Sequence, residues 1–161
     1  MITIFTDGSS KGNPGPGGFA AIIADSLKVR EVGGGEKHTT NNRMELKAAI
    51  RALESLEPTN ETIYIHTDSQ YVMKGITEWI HGWLAKGWKT AQKKPVENQD
   101  LWQVLYKNTE GKNIEWKHVA GHAGVEANER CDEIAQSFAD GVEPQLYDGL
   151  RTDYRINLGS K

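Results

Sequence analysis

The chain has a single cysteine, Cys131, in 161 residues. One thiol excludes an internal disulfide and any cysteine-rich zinc site, and Cys131 is expected to be a buried core thiol. No apolar run approaches the length of a membrane span. Met1 leads straight into a strand-like run, without the basic and apolar regions of a signal peptide, so a cytoplasmic protein with no membrane partner is the expectation. Internal repeats and low-complexity tracts are also lacking. What remains, with 37% hydrophobic and 25% charged residues, fits one compact domain with a real core.

The 19 Lys and Arg residues are slightly outnumbered by the 22 Asp and Glu residues, but positive charge is concentrated locally. Between Lys74 and Lys94 five lysines (Lys74, Lys86, Lys89, Lys93, Lys94) face one acid, Glu78; this gives +4 there and leaves −7 for the rest of a chain whose net charge is −3. Trp79, Trp83 and Trp88 interleave with these lysines. A cationic, aromatic arm of this kind can grip phosphates and sugars while the remaining surface stays acidic. The competing reading is a solvated helical arm anchored to the core by its tryptophans, and the helical spacing of Trp79 and Trp83 lets them serve both ends.

Strands are expected near residues 2–7, 19–25 and 28–33, with turn signals at Gly15-Pro16-Gly17-Gly18 and Asp25-Ser26, which suits an antiparallel meander. A helix over about 43–56, a strand at 62–67, helical segments near 70–86 and 99–109, a strand at 113–119 and a helix from about 126 to 139 follow. This order predicts an α/β fold: a five-stranded mixed sheet flanked by helices. From Asp140 periodicity fades, so residues 141–161 read as a loosely ordered tail, although Tyr147, Leu150, Tyr154 and Ile156 offer apolar contacts.

Four acids carry the chemical message. Two β-rich runs, Ile2-Thr3-Ile4-Phe5-Thr6-Asp7 and Ile63-Tyr64-Ile65-His66-Thr67-Asp68, both end in Thr-Asp. If they are parallel neighbours joined through a crossover, the two aspartates lie side by side, about 5 Å apart. Taken singly, Asp7-Gly8 reads as a turn, Asp68 as a helix cap, and Glu45 as part of a capping box opened by Asn42. The helical wheel argues otherwise for Glu45, which falls within the arc of Leu46, Ala49, Ile50 and Leu53. Asp132 borders the arc of Ala127, Cys131, Ile134, Ala135 and Phe138, whereas Glu129 and Glu133 point outward. Carboxylates turned toward a core are costly unless paired, and no basic residue shares their faces. A divalent cation resolves the conflict; an all-oxygen donor set favours magnesium, with manganese as substitute. Two ions in such a cluster can serve an in-line displacement at phosphorus.

At these positions the chain resembles ribonuclease H of the bacterial type I over roughly residues 1 to 140. The resemblance is carried by Thr6-Asp7-Gly8-Ser9, Gly12-Asn13-Pro14-Gly15-Pro16-Gly17-Gly18, Thr39-Thr40-Asn41-Asn42-Arg43-Met44-Glu45-Leu46, Thr67-Asp68-Ser69-Gln70-Tyr71-Val72, Gly82-Trp83, Gly121-His122 and Asn128-Glu129-Arg130-Cys131-Asp132. It implies a ribonuclease H-like fold and endonucleolytic hydrolysis of the RNA strand of an RNA/DNA hybrid, leaving 5′-phosphate and 3′-hydroxyl ends. It also implies metal ligation by Asp7, Glu45, Asp68 and Asp132, with two ions once substrate is bound. Asn13, Asn42 and Gln70 become minor-groove contacts that test for the 2′-hydroxyl. Thr40 and Asn41 become phosphate contacts on the DNA strand, where their residue types alone favour capping and turn formation. The stretch from Trp79 to Lys94 matches the family's basic arm, with Trp79, Trp83, Lys86 and Lys89 as substrate contacts.

His122, between glycines in Gly121-His122-Ala123-Gly124, is expected on a loop, where near-neutral titration suits proton transfer or product departure, as the resemblance implies. His38, His66, His81 and His118 have no such setting and read as structural. Where eukaryotic relatives add an N-terminal hybrid-binding domain, the catalytic segment here begins at Met1 or Ile2, so processivity from such a module is not expected; a monomer is expected. Two other readings stay open: a DNA-directed nuclease of the same superfold, and a non-catalytic hybrid-binding module.

Overall fold

The computed structural model describes residues 1–119 and 125–159. Six strands form one sheet: β1 Ile2–Ser10, β2 Gly15–Ala24, β3 Lys28–Thr39, β4 Thr62–Thr67, β5 Asn113–His118 and β6 Asp148–Leu150, in the order β5-β4-β1-β2-β3-β6. The first three make the expected antiparallel meander, and β4 and β5 extend it in parallel from β1. Helix α1 (Asn41–Glu54) supplies the crossover that lets β4 lie parallel to β1. Helix α2 (Gln70–Lys74) runs through a π-helical turn, Gly75–Trp79, into α3 (Ile80–Ala85), and α4 (Gln99–Thr109) and α5 (Glu126–Ala139) complete the set. Among the described residues, no helix is long and apolar enough to cross a membrane.

The central strands are apolar on both faces, and alternation sends successive side chains to opposite layers. Ile2 and Ile4 of β1 with Ala21 and Ile23 of β2 pack under α1 and α4, around Leu46, Leu53, Trp102 and Leu105. Phe5, Ala20, Ile22 and Ala24 pack against α5, around Ala127, Cys131, Ile134 and Ala135. Full burial of side chains such as Ile22 and Ile134 contributes roughly 1.5–3 kcal/mol each. Cys131 is free and buried, as the sequence implies.

Two expectations are corrected. Gly15-Pro16-Gly17-Gly18 is strand rather than turn: Gly17 and Gly18 pair with Glu36 and Gly35 of β3. Glycine is required at Gly18 because α5 lies so close that an added Cβ would stand 2.0 Å from the Ala135 carbonyl oxygen. The sheet has six strands instead of five, because the segment expected to be a loose tail returns to the sheet. Its strand β6 pairs antiparallel with β3, Lys28 opposite Leu150 and Arg30 opposite Asp148. Leu146, Tyr147, Tyr154, Ile156 and Leu158 then pack on the α5 layer, so apolar burial, invisible as periodicity, orders this segment.

Candidate active site

Parallel pairing of β1 with β4 is what joins the first two acids. Ile4 lies opposite Ile65 and Phe5 opposite His66; continued by two residues, this register sets Asp7 beside Asp68. Asp68 follows directly on β4, and the next residue, Ser69, caps α2 by accepting a hydrogen bond from the Val72 N–H at 3.1 Å. Glu45 arrives from the other side. The N-cap of α1 is Thr40, whose hydroxyl accepts from the Arg43 N–H at 3.2 Å, so Asn42 opens no capping box and Glu45 lies inside the helix with its carboxylate free for other work.

The absence of a side chain at residue 8 allows that approach. A Cβ on Gly8 would stand 2.3 Å from the Met44 carbonyl carbon and 2.5 Å from the Glu45 nitrogen. Strand β1 and helix α1 therefore touch backbone to backbone immediately beside Asp7. Carboxylate oxygens of Asp7, Glu45 and Asp68 converge to within 4.8 Å of one another. Asp132, half-buried on α5, stands at the rim of this trio, its Oδ2 accepting from Gln136 Nε2 at 2.8 Å.

Electrostatically the cluster is unfinished. Burial, then the charges of Asp68 and Asp132, push the Asp7 carboxyl up to about 8. Burial, then Asp7 and Asp68, push Glu45 well above the ordinary carboxylate range. None of the ion pairs among the described residues involves these acids. Glu45 Oε1 and Asp68 Oδ1 are buried without a hydrogen-bond partner, a costly state for oxygens that carry negative charge. Three convergent hard oxygen donors, two with orphaned atoms and none with a counter-charge, fit a divalent cation such as magnesium.

Polar residues expected to touch substrate surround the cluster. Asn13 Oδ1 accepts from the Asn41 N–H at 3.0 Å, and Asn41 Oδ1 accepts from the Ser10 N–H at 2.7 Å, tying the β1–β2 connection to the start of α1. Thr40 and Asn41 thus do the capping and turn work that their residue types favour. Asn13, Asn42 and Gln70 are exposed. Gln70 Nε2 lies 3.2 Å from His118 Nε2, which gives one of the unassigned histidines a neighbour at the site. His122 lies outside the described residues.

The arm is joined to the core through aromatic rings. Trp102 is fully buried and donates its Nε1–H to the Tyr71 hydroxyl at 3.0 Å. From it the stack runs to Trp83 at 5.3 Å between ring centroids, and from Trp83 to Trp79 and Trp88 at 6.1 Å each. Trp79, 40% exposed, ends this series, and Lys86 and Lys89 stand exposed beyond it. The ring contacts fit the anchoring reading, Trp83 joining the arm to Trp102, while Trp79 stands partly exposed at its edge. Sequence reasoning missed the Arg43–Asp100 fork, with Nη2 to Oδ2 at 2.8 Å and Nη1 to Oδ1 at 3.0 Å, which ties α1 to α4 beside the arm. It also missed Gln136, although the i, i+4 spacing from Asp132 could have found it.

Comparison with known proteins agrees with this geometry. Residues 1–140 match the RNase H family. The chain is 56% identical over 145 residues to the ribonuclease H of Aromatoleum aromaticum, covering 90% of this chain and 94% of that protein. Among solved structures, it resembles LC9-RNase H1, a type 1 RNase H with the type 2 active-site motif, at 33% identity and a TM-score of 0.80 over 92% of this chain and 77% of that one. LC11-RNase H1, solved in complex with an RNA/DNA hybrid, is 25% identical with a TM-score of 0.67 over 88% of this chain and 98% of that one. With acids converging from within β1, from α1 and from just past β4, these matches show that the chain belongs to the RNase H family, enzymes that hydrolyse the RNA strand of RNA/DNA hybrids.

Proposed function

We propose that this chain cuts the RNA strand by magnesium-dependent endonucleolytic hydrolysis, with Asp7, Glu45, Asp68 and Asp132 as the metal ligands and manganese as a substitute. The observation that carries the reading is the convergence of three carboxylates within 4.8 Å of one another, none of them in an ion pair among the described residues. When bound, the metal, two ions in the presence of hybrid, supplies an activated water and stabilises the leaving oxygen of an in-line displacement that yields 5′-phosphate and 3′-hydroxyl ends.

The protein's own groups position the substrate. Asn13, Asn42 and Gln70 both donate and accept hydrogen bonds, which suits reading the 2′-hydroxyl in the minor groove. Thr40 and Asn41, at the N-terminus of α1, hold phosphates of the DNA strand where backbone N–H groups and the helix dipole favour anions. Trp79, Trp83, Lys86 and Lys89 grip the hybrid backbone without sequence preference. His122 moves a proton or speeds product departure near neutral pH. The catalytic unit spans residues 1–140, acts as a monomer and works in the cytoplasm.

End-labelled RNA/DNA hybrid, RNA duplex and DNA duplex, each incubated with magnesium or with chelator, test this reading against Asp7→Asn. The expected result is magnesium-dependent cutting of the hybrid's RNA strand alone, lost in Asp7→Asn. Cutting of DNA would favour a DNA-directed nuclease of the same superfold, and binding without cutting would favour a scaffold. Wild-type rates in Asp7→Asn would sink the ligand assignment.

A further inference from the structure

Away from the acidic cluster the chain buries a second carboxylate, and this one is completely engaged. Glu31 on β3 is 4% exposed. Its Oε2 accepts from Arg130 Nε at 2.9 Å and from the Tyr154 hydroxyl at 2.7 Å. Its Oε1 accepts from Arg130 Nη2 and from the Tyr147 N–H, both at 2.9 Å. The same guanidinium donates to the Gln145 carbonyl at 3.0 Å and to Glu133. A fork of this kind constrains direction as well as distance.

The constraint falls on the helix that carries Asp132. Arg130 and Asp132 are two residues apart on α5, about 200° around the helix axis, so they leave it on opposite sides. The Arg130 side is tied to β3 and the C-terminal segment. Between the two, Cys131 Sγ lies 3.4 Å from the Phe5 carbonyl oxygen, two residues before Asp7 on β1. Close packing of the Ala135 carbonyl against Gly18 blocks a shift toward the sheet. Rotation about the helix axis moves Asp132 relative to Asp7. The C-terminal segment also holds the start of α5, since the Asn157 N–H donates to Glu126 Oε2 at 3.1 Å.

We infer that Glu31 is a positioning residue for the RNA-cleaving site: through its fork to Arg130, closed by Tyr147 and Tyr154, it sets the rotation of α5 and so the reach of Asp132. The C-terminal segment is then part of the site's support. This inference rests on Asp132 acting as a metal ligand. It predicts that loosening the fork weakens metal binding without altering the surface that holds the hybrid.

Full-length Glu31→Gln, Tyr154→Phe and, as reference, Asp132→Asn test it. Mn2+ binding is measured without substrate from the electron paramagnetic resonance signal of the free ion. Mg2+ half-activation of cleavage and hybrid affinity in chelator are measured alongside. Glu31→Gln is expected to raise the Mn2+ dissociation constant and the Mg2+ half-activation concentration roughly tenfold, the lower end for residues that orient a ligand from outside the metal's own contacts. Hybrid affinity should stay unchanged, and Tyr154→Phe should show the same pattern more weakly. Tyr154→Phe removes one hydroxyl only and keeps the test available if Glu31→Gln does not fold. A fall in thermal stability with both metal constants unchanged would reduce the fork to a structural role and overturn the inference. If Asp132→Asn itself leaves Mn2+ binding and cleavage unchanged, the ligand assignment beneath the inference is what fails.

Discussion

Glu31 on β3 and Asp7 on β1 are buried almost equally, 4% and 6% exposed, on strands separated only by β2. Their ionisation is pushed in opposite directions. Burial raises the Glu31 carboxyl, but hydrogen bonds from Arg130, Tyr154 and Tyr147 outweigh it and leave the group below its ordinary range. Asp7 meets the same burial with Asp68 and Asp132 beside it, and its carboxyl rises to about 8. One carboxylate is closed by the protein. The other has no counter-charge among the described residues, and that difference, which burial alone does not show, is what favours the metal role proposed for Asp7.

The comparison breaks most visibly in activity. Asp7→Asn should lower cleavage on the order of 10³-fold, about 4 kcal/mol in the barrier, while hybrid binding in chelator persists; single-turnover rates and filter binding report the two. At alkaline pH the same variant without metal should be more stable than the parent, because one of several repelling charges is gone. For Arg130→Met the opposite is expected: with Glu31 left unpaired, urea unfolding at neutral pH should show a loss of about 3–5 kcal/mol. Equal responses from the two variants would erase the distinction.

Gly8→Ala probes how the open site is assembled. Its Cβ has no room against Met44 and Glu45, so α1 must back away, costing about 1–3 kcal/mol by overpacking and weakening Mn2+ binding as Glu45 retreats. Unaltered metal affinity would show that Glu45 does not depend on this approach.

Linkage gives the two acids opposite pH signatures. Asp7's folded value lies above its ordinary 3.8, so its contribution to stability is fully present below pH 3.8 and is lost as pH rises through about 8; Glu45 shifts the same way. Glu31, held low, contributes above its ordinary 4.5 and loses that contribution as pH falls through its depressed value. Magnesium should therefore raise the melting temperature more at pH 8.5 than at pH 5.5, and equal increments at both would contradict the assignment. The smallest effects belong to the arm. Lys86→Ala and Lys89→Ala should each flatten the salt dependence of hybrid affinity by about one unit of slope and leave single-turnover cleavage of saturated complex unchanged.

Much of this was legible in the chain. Thr-Asp at the ends of two β-rich runs predicts the adjacency that the β1–β4 register produces, because strand period and parallel pairing are local rules extended by one crossover. Glu45 and Asp132 were legible because a charge inside an apolar helical arc conflicts with burial. The glycines at 15–18 were misread: turn and close-packed strand need the same residue, and only the position of α5 distinguishes them. The C-terminal segment was misread because its anchors, Tyr147 and Tyr154, have no periodic spacing and their partner Glu31 lies 116 and 123 residues away.

By itself, the sequence determined the five main strands, the principal helices, and the conflict of Glu45 and Asp132 with burial, since these follow from spacing along one strand or helix; it gave no sign of β6 or of the buried Glu31. Only the tertiary structure decided which buried carboxylate the protein closes with its own groups and which it leaves without a counter-charge among the described residues. Glu31 and Glu45 are both carboxylates turned toward the interior of the fold, and neither one's neighbours in the chain reveal that Arg130 reaches the first while, among the described residues, no ion pair reaches the second. That outcome depends on side chains converging from distant segments, where distance and direction, rather than residue type, set the energy of a charge.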